Sequence, residues 1–185
     1  VMKKYGNDKP DIRADKNDKD ELAFAWVVDF PLFEDKKDGG HFAPSHHMFT
    51  KPLPEDAAKL DTDPASVRSA QYDLVLNGYE VGGGSIRIHD PAMQEKIFDL
   101  IGFDAEHKKY FDHMLRAFRY GAPPHGGIAP GIDRLMMLLQ NEPTIREVIA
   151  FPKTGEGRDL MMGAPADILP EQLEDLHISI KKPKR

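Results

Sequence analysis

Apolar and polar positions alternate most clearly over FAWVVDFPLFE. Phe24, Trp26, Val28 and Phe30 fall on one side, with Ala25, Val27 and Asp29 on the other. That period predicts a half-buried strand, ended by Pro31, which cannot donate to a ladder. Residues 70–89 predict two further strands, AQYDLVLN and GYEVGGGSIRIH, joined at Asn77–Gly78, a strong two-residue hairpin signal. Asp90–Pro91 then supplies an N-cap and a first-turn proline for a helix with Met93, Ile97, Leu100 and Ile101 on one face, stopped at Gly102. Asp104 caps a second helix, with Phe111, Met114, Leu115 and Phe118 on one face and Gly121 at its end. GIDRLMMLLQN is apolar nearly all round and predicts a buried helix. The rest is expected to be less regular. Residues 34–69 read as a long loop with a short helix over Glu55–Leu60, and GAPPHGGIAPG is too rich in glycine and proline for a helix. Thr144 and Glu147 have capping-box spacing, and PEQLEDLHISI gives a last helix or strand.

Composition narrows the class. The chain has 185 residues, 40% hydrophobic and 9% aromatic, which suits a folded domain and excludes a disordered one. No run of about 18 apolar residues is present, so no membrane span is expected. VMKKYGNDKPD lacks the apolar stretch of a secretory signal. Cysteine is absent, which removes disulfides, thiolate metal sites and a thiol nucleophile, and a cytoplasmic protein is the expectation. The formal charge is 25 − 31 = −6, so contact with nucleic acid must come from a local patch. Residues 1–22 are mostly charged and read as a solvated leader, and KKPKR at the end reads as a frayed terminus or an RNA contact.

Candidate chemistry concentrates in the hairpin. With Asn77–Gly78 as the turn, Leu76 faces Tyr79 and Val75 faces Glu80, which places Asp73 and Glu80 on one face as diagonal neighbours. They are either two solvated acids or a pair of oxygen ligands suited to magnesium, which takes one or two carboxylates plus phosphate oxygens. Gly82–Gly83–Gly84 interrupts the second strand, through a bulge or the close approach of a ligand. A one-residue bulge there would bring Arg87 to the face of Glu80, as a fork for a carboxylate or phosphate; otherwise Arg87 is a structural ion pair. Arg134 opens an apolar helix, and either pairs with Asp133 or holds a phosphate or a base. His46–His47 is a poor zinc site, because adjacent histidines do not readily face one ion. No Walker loop and no dinucleotide fingerprint is present.

YGNDKPDIR, FAWVVDFPLFE, HHMFT, YDLVLNGYEVGGGSIRIH, YGAPPHGGIAPGIDRLMMLL and IREVIAFPKT occur in this order over nearly the whole chain. The set resembles the bacterial aspartyl-tRNA synthetases, a class II aminoacyl-tRNA synthetase family. The resemblance implies an α+β fold, an antiparallel β-sheet flanked by helices. It implies ATP and Mg2+ as cofactors and L-aspartate and tRNA(Asp) as partners, in an enzyme that makes aspartyl-adenylate and passes the aspartyl group to tRNA. It places Arg134 on the adenine and ATP tail, with Gly131, Ile132 and Asp133 lining the nucleotide. The resemblance also implies that Glu80 is the ATP- and magnesium-binding glutamate, Asp73 a second magnesium-associated acid, and Arg87 the arginine for the substrate's side-chain carboxylate. By the same resemblance, His46 of the HH pair is expected to contact L-aspartate.

The same resemblance implies departures from the family pattern. Residues 1–23 are the junction where an inserted domain would sit, here reduced to Ala14–Ala23, and residues 24–185 are the C-terminal part of the catalytic domain. The anticodon-binding barrel and the first two class II signatures fall outside these residues, so the isolated chain is expected to make neither adenylate nor charged tRNA. A homodimer is expected of the full-length enzyme. The competing readings are a non-catalytic binding module derived from the synthetase fold, and a related asparaginyl or lysyl enzyme.

Overall fold

Asn77 and Gly78 both take positive φ, 49° and 86°, as a tight hairpin turn of this hand requires. In the computed structural model, which describes residues 1–34 and 39–181, this turn organises one antiparallel four-stranded sheet. Its strands are β1 (Phe24–Val28), β2 (Gln71–Leu76), β3 (Tyr79–Ile86) and β4 (Gly126–Pro130), in that order. Across the turn Leu76 faces Tyr79 and Val75 faces Glu80, as the spacing predicts. The register then slips between Leu74 and Val75, because Leu74 faces Gly82 and Val81 has no opposite residue. The predicted bulge exists, immediately before the glycines rather than within them.

GAPPHGGIAPG holds no helix, as its glycines and prolines predict, and part of it forms a strand, β4, that the sequence did not suggest. Gly126–Pro130 pairs with β3 from Gly82 to Ile86. A Cβ on Gly84 would stand 2.1 Å from the Gly127 carbonyl oxygen, so the third glycine of the run lets β4 close on β3. β1 is a strand as predicted, and its covered side is the one that carries Val27. Val27 is buried at 3% exposure, whereas Trp26 stands 58% exposed and meets the edge of Tyr72 at 5.9 Å. The aromatic side of β1 has little else over it among the described residues.

The charged leader is also held more closely than its composition predicts. After α1 (Met2–Tyr5), Arg13 pairs with Asp11 at 2.7 Å. Asn77 accepts from the Ala23 N–H at 2.9 Å and donates to the Glu21 carbonyl at 2.8 Å, fastening the segment to the hairpin turn.

The hydrophobic core lies beside the sheet: Leu32, Phe33, Leu60, Val67, Ile88 and Ile97, with Met93, Leu100 and Ile101 packed against it. Leu60 comes from a 3-10 turn over Ala57–Asp61, within the region expected to hold a short helix. α2 (Pro91–Leu100) starts where Asp90 accepts from the Met93 N–H at 2.7 Å. The single helix expected after Asp104 is two, α3 (Ala105–Lys109) and α4 (Asp112–Arg119). Between them Phe111 turns in to Phe98 and Phe103, at 5.1 and 5.9 Å between ring centres, which interrupts the helical ladder.

α5 (Ile132–Leu139) is a helix as predicted but not a buried one. Met137 is its only buried residue, and Ile132 is 63% exposed. Thr144 caps a 3-10 turn, Ile145–Glu147, by accepting from the Arg146 N–H rather than through a full box, and α6 is Pro170–Asp175. The chain divides into two compact units, Val1–Leu135 and Met136–Arg185. Lys182–Arg185, most of the basic tail, lies outside the described residues. No helix among the described residues is long and apolar enough to cross a membrane.

Candidate active site

Gly83 and Arg87, four apart, share a face by the period of the strand, and the bulge at Val81 brings Glu80 to it; without the bulge, its odd spacings of three and seven would put Glu80 on the other side. Asp73 on β2 lies opposite Gly83. A Cβ on Gly83 would stand 3.0 Å from Asp73 Oδ1 and 3.2 Å from Glu80 Oε1. The two carboxylates therefore converge on a point that only the absence of a side chain leaves open. Burial raises the Asp73 carboxyl above its ordinary value; a hydrogen bond from Gln71 Nε2 at 2.9 Å works against this, and the charge of Glu80 adds to it. Like charges this close are relieved by a cation. Two acids with no third His, Cys, Asp or Glu beside them among the described residues suit magnesium, which completes its shell with phosphate oxygens and water.

Arg134 closes one end of this face. Its Nη1 donates to the Glu80 carbonyl at 2.7 Å and lies 3.7 Å from Glu80 Oε2, while the Gly131 N–H donates to the Val81 carbonyl at 2.8 Å. The Asp133–Arg134 pair does not form. Arg134 Nε and Nη2 make no hydrogen bond among the described residues, and remain available to an anion. Ile132 and Asp133, the other expected nucleotide-lining residues, open α5, and the Asp133 side chain accepts no hydrogen bond among the described residues.

Arg87 lies at the other end, roughly 20 Å along the strand from Glu80 by the ordinary rise per residue. Its backbone N–H donates to the His125 carbonyl at 2.9 Å, and it bridges to Thr50. The guanidinium contacts His47, with Nη1 3.0 Å from Nδ1 and closer still to Nε2. Ser85 Oγ lies 3.4 Å from the same imidazole. Burial, then the charge of Arg87, then that of His46 lower the His47 pKa. A neutral imidazole is the form that can accept from Arg87.

His46, the histidine expected at the substrate, packs edge-on against Phe30 at 5.0 Å, and its field acts on Asp73. The structure thus brings Asp73, Glu80 and Arg134 together, sets Arg87 on the same face, and puts His47 rather than His46 on Arg87. Sequence reasoning missed His47, Gln71 and Ser85. Period-two parity with Asp73 would have found Gln71; the His47 contact depends on a non-local fold of the 39–50 loop.

A model of tRNA synthetases class II (D, K and N) matches residues 1–155. The chain belongs to this family. An aspartate–tRNA(Asp/Asn) ligase of Rubrobacter xylanophilus is 59% identical over 90% of the chain, and an aspartate–tRNA ligase of Bacteroides fragilis is 52% identical over 88%. The chain spans 28% of the length of each of these relatives. Among solved structures, the aspartyl-tRNA synthetase of Entamoeba histolytica superposes with a TM-score of 0.54 at 26% identity, over 84% of this chain and 24% of that one. The antiparallel sheet with flanking helices is thus the class II synthetase core in part. Class II synthetases use ATP and Mg2+ generally.

Proposed function

We propose that this chain forms the ATP- and amino-acid-binding face of an aspartate–tRNA ligase. In that reading Arg134 stacks on the adenine and reaches the phosphates, and Gly131, Ile132 and Asp133 line the nucleotide. Asp73 and Glu80 would hold Mg2+, which supplies charge neutralisation on the phosphates. Arg87, held by His47, grips the side-chain carboxylate of L-aspartate, with His46 beside it. The substrate's α-carboxylate attacks the α-phosphorus of ATP and pyrophosphate leaves; the aspartyl group then passes from the adenylate to a terminal hydroxyl of tRNA(Asp). The protein's share is orientation and electrostatic stabilisation, since no side chain needs to form a bond.

One observation carries this reading: the Gly83 gap between Asp73 and Glu80, on the face that also bears Arg87. Within the D, K and N group, a cation at the amino-acid end favours a carboxylate over an amide or an ammonium. Asparagine would leave the Arg87 charge unpaired, and lysine would oppose it. The names of the relatives agree with this choice. The test is competition among non-hydrolysable aspartyl-, asparaginyl- and lysyl-adenylate analogues for the chain. The aspartyl analogue should bind at least tenfold tighter than the others and lose that margin in Arg87→Ala. Equal binding of the asparaginyl analogue would sink the aspartate assignment.

A further inference from the structure

Gln71 opens β2 two positions before Asp73, so the two side chains share a face of the strand. It is 6% exposed, and Ser85, the residue opposite, is fully buried. Its Nε2 donates to Asp73 Oδ1 at 2.9 Å, the orientation of the amide that an ionised carboxylate can accept. Its carbonyl oxygen is buried with no hydrogen-bond partner among the described residues. An orphaned buried carbonyl costs stability, and an apolar side chain of the same length would not carry that cost. The position is therefore not filled for folding alone. What a glutamine adds there is the donor on Asp73.

That bond sets which way the Asp73 carboxylate turns. Oδ1 stands 3.0 Å from the point a Cβ on Gly83 would occupy, Cγ stands 3.9 Å from it, and Oδ2 is no nearer than Cγ. Glu80 Oε1 stands 3.2 Å from the same point. Each acid thus presents one oxygen to the gap. A carboxylate that nothing holds turns easily about its last bond, a broad and roughly two-fold torsion, and can present both oxygens. Cations differ in which they use. Mg2+ takes single oxygens at about 2.0–2.1 Å in a strict octahedron. Ca2+ takes about six to eight oxygens at about 2.3–2.6 Å and accepts both oxygens of one carboxylate.

We infer that Gln71 is a positioning residue that makes the Gly83 gap select a small octahedral cation over a larger one such as Ca2+. It acts through Asp73: the amide N–H occupies one lone pair of Oδ1 and holds the carboxylate end-on, so the gap cannot gather the extra oxygens that Ca2+ needs. A space-filling role would be met equally by methionine, which has the same reach and no orphaned oxygen. The inference rests on the ligase reading, in which Asp73 and Glu80 hold the metal ion of the nucleotide.

The test is displacement of Mn2+ from the 185-residue chain by Mg2+ or Ca2+, read from the electron paramagnetic resonance signal of free Mn2+. In the wild-type chain Mg2+ should displace it at a concentration about tenfold lower than Ca2+. Gln71→Met removes the donor at nearly constant volume, and should cut that preference to about threefold or less without lowering the midpoint of urea denaturation. Gln71→Glu puts a third carboxylate in place of the donor, and should bring the preference to parity or towards Ca2+. Gln94 on α2 is the control: it is 0% exposed, donates to the Met48 carbonyl and likewise has an unpartnered carbonyl oxygen. Gln94→Met should leave the preference unchanged. Mn2+ that the chain does not bind, equal displacement by Mg2+ and Ca2+ in wild type, a preference kept in Gln71→Met, or an equal loss in Gln94→Met would each overturn the inference. Calorimetry with ATP and Mg2+ separates the two proposals. Mg2+-dependent ATP binding with the preference unaltered in Gln71→Met tells against Gln71 alone, and a Gln71-dependent preference without ATP binding tells against the ligase reading alone.

Discussion

Gly83 is the residue on which the site turns. Its missing side chain leaves the point at 3.0 and 3.2 Å from two carboxylate oxygens free, and burial of one of them makes the pair costly without a cation. Because burial raises the Asp73 carboxyl, it takes up a proton above 3.8, the ordinary value for an aspartate. Protonation removes half of the cation's ligand charge, so Mg2+-dependent ATP affinity should fall as pH drops, and should begin to fall above that ordinary value. Asp73→Asn should flatten the acid side of that profile, as titration calorimetry from pH 7 to pH 4 would read. An unchanged profile would remove Asp73 from the metal site. The acidic pair was legible from parity alone, since Asn77–Gly78 fixes the turn locally and period two does the rest. His47 was not, because its contact with Arg87 spans 40 positions and depends on how the 39–50 loop folds.

At the scale of elements, the glycine run of β3 does two jobs. Gly83 opens the site and Gly84 admits β4, so Gly84→Ala should act on the sheet rather than on ligands. A Cβ 2.1 Å from a carbonyl oxygen forces the strands apart, at a cost of about 1–3 kcal/mol, read as a lowered midpoint of urea denaturation. The same run hid β4 from the sequence reading. A strand of Gly126, Gly127, Ile128, Ala129 and Pro130 has almost no intrinsic preference for that state and exists because β3 accepts it. The loop between β1 and β2 has its own fastening. Asp56 is buried and takes hydrogen bonds from Arg68 Nε and Lys59 Nζ, both at 2.7 Å, which hold its carboxyl far below the usual aspartate range. Its folded value is depressed, so the unfolded chain binds more protons in acid; the contribution is present above about pH 4 and lost as pH falls below it. Asp56→Asn should therefore lower stability at pH 6 more than at pH 3, by chemical denaturation at both.

For the whole molecule, the sequence reading held where signals were local and slipped where burial depends on what lies opposite. FAWVVDF alternates as a strand must, yet alternation does not say which side is covered, and Val27 rather than Trp26 faces inward. The apolar circumference of α5 reads as a buried helix, whereas Ile132 stands open to water. Exposed apolar faces of this kind mark surfaces that other groups cover. What the fold does complete is one continuous face, from Arg134 and Glu80 across the Gly83 gap to Arg87. The most direct measure of that claim is calorimetric titration of the chain with ATP, with and without Mg2+. ATP should bind in a Mg2+-dependent manner, and both Arg134→Ala and Gly83→Ala should weaken it about tenfold or more while the chain stays folded. ATP binding that is absent, indifferent to Mg2+, or unaltered in both variants would contradict the account.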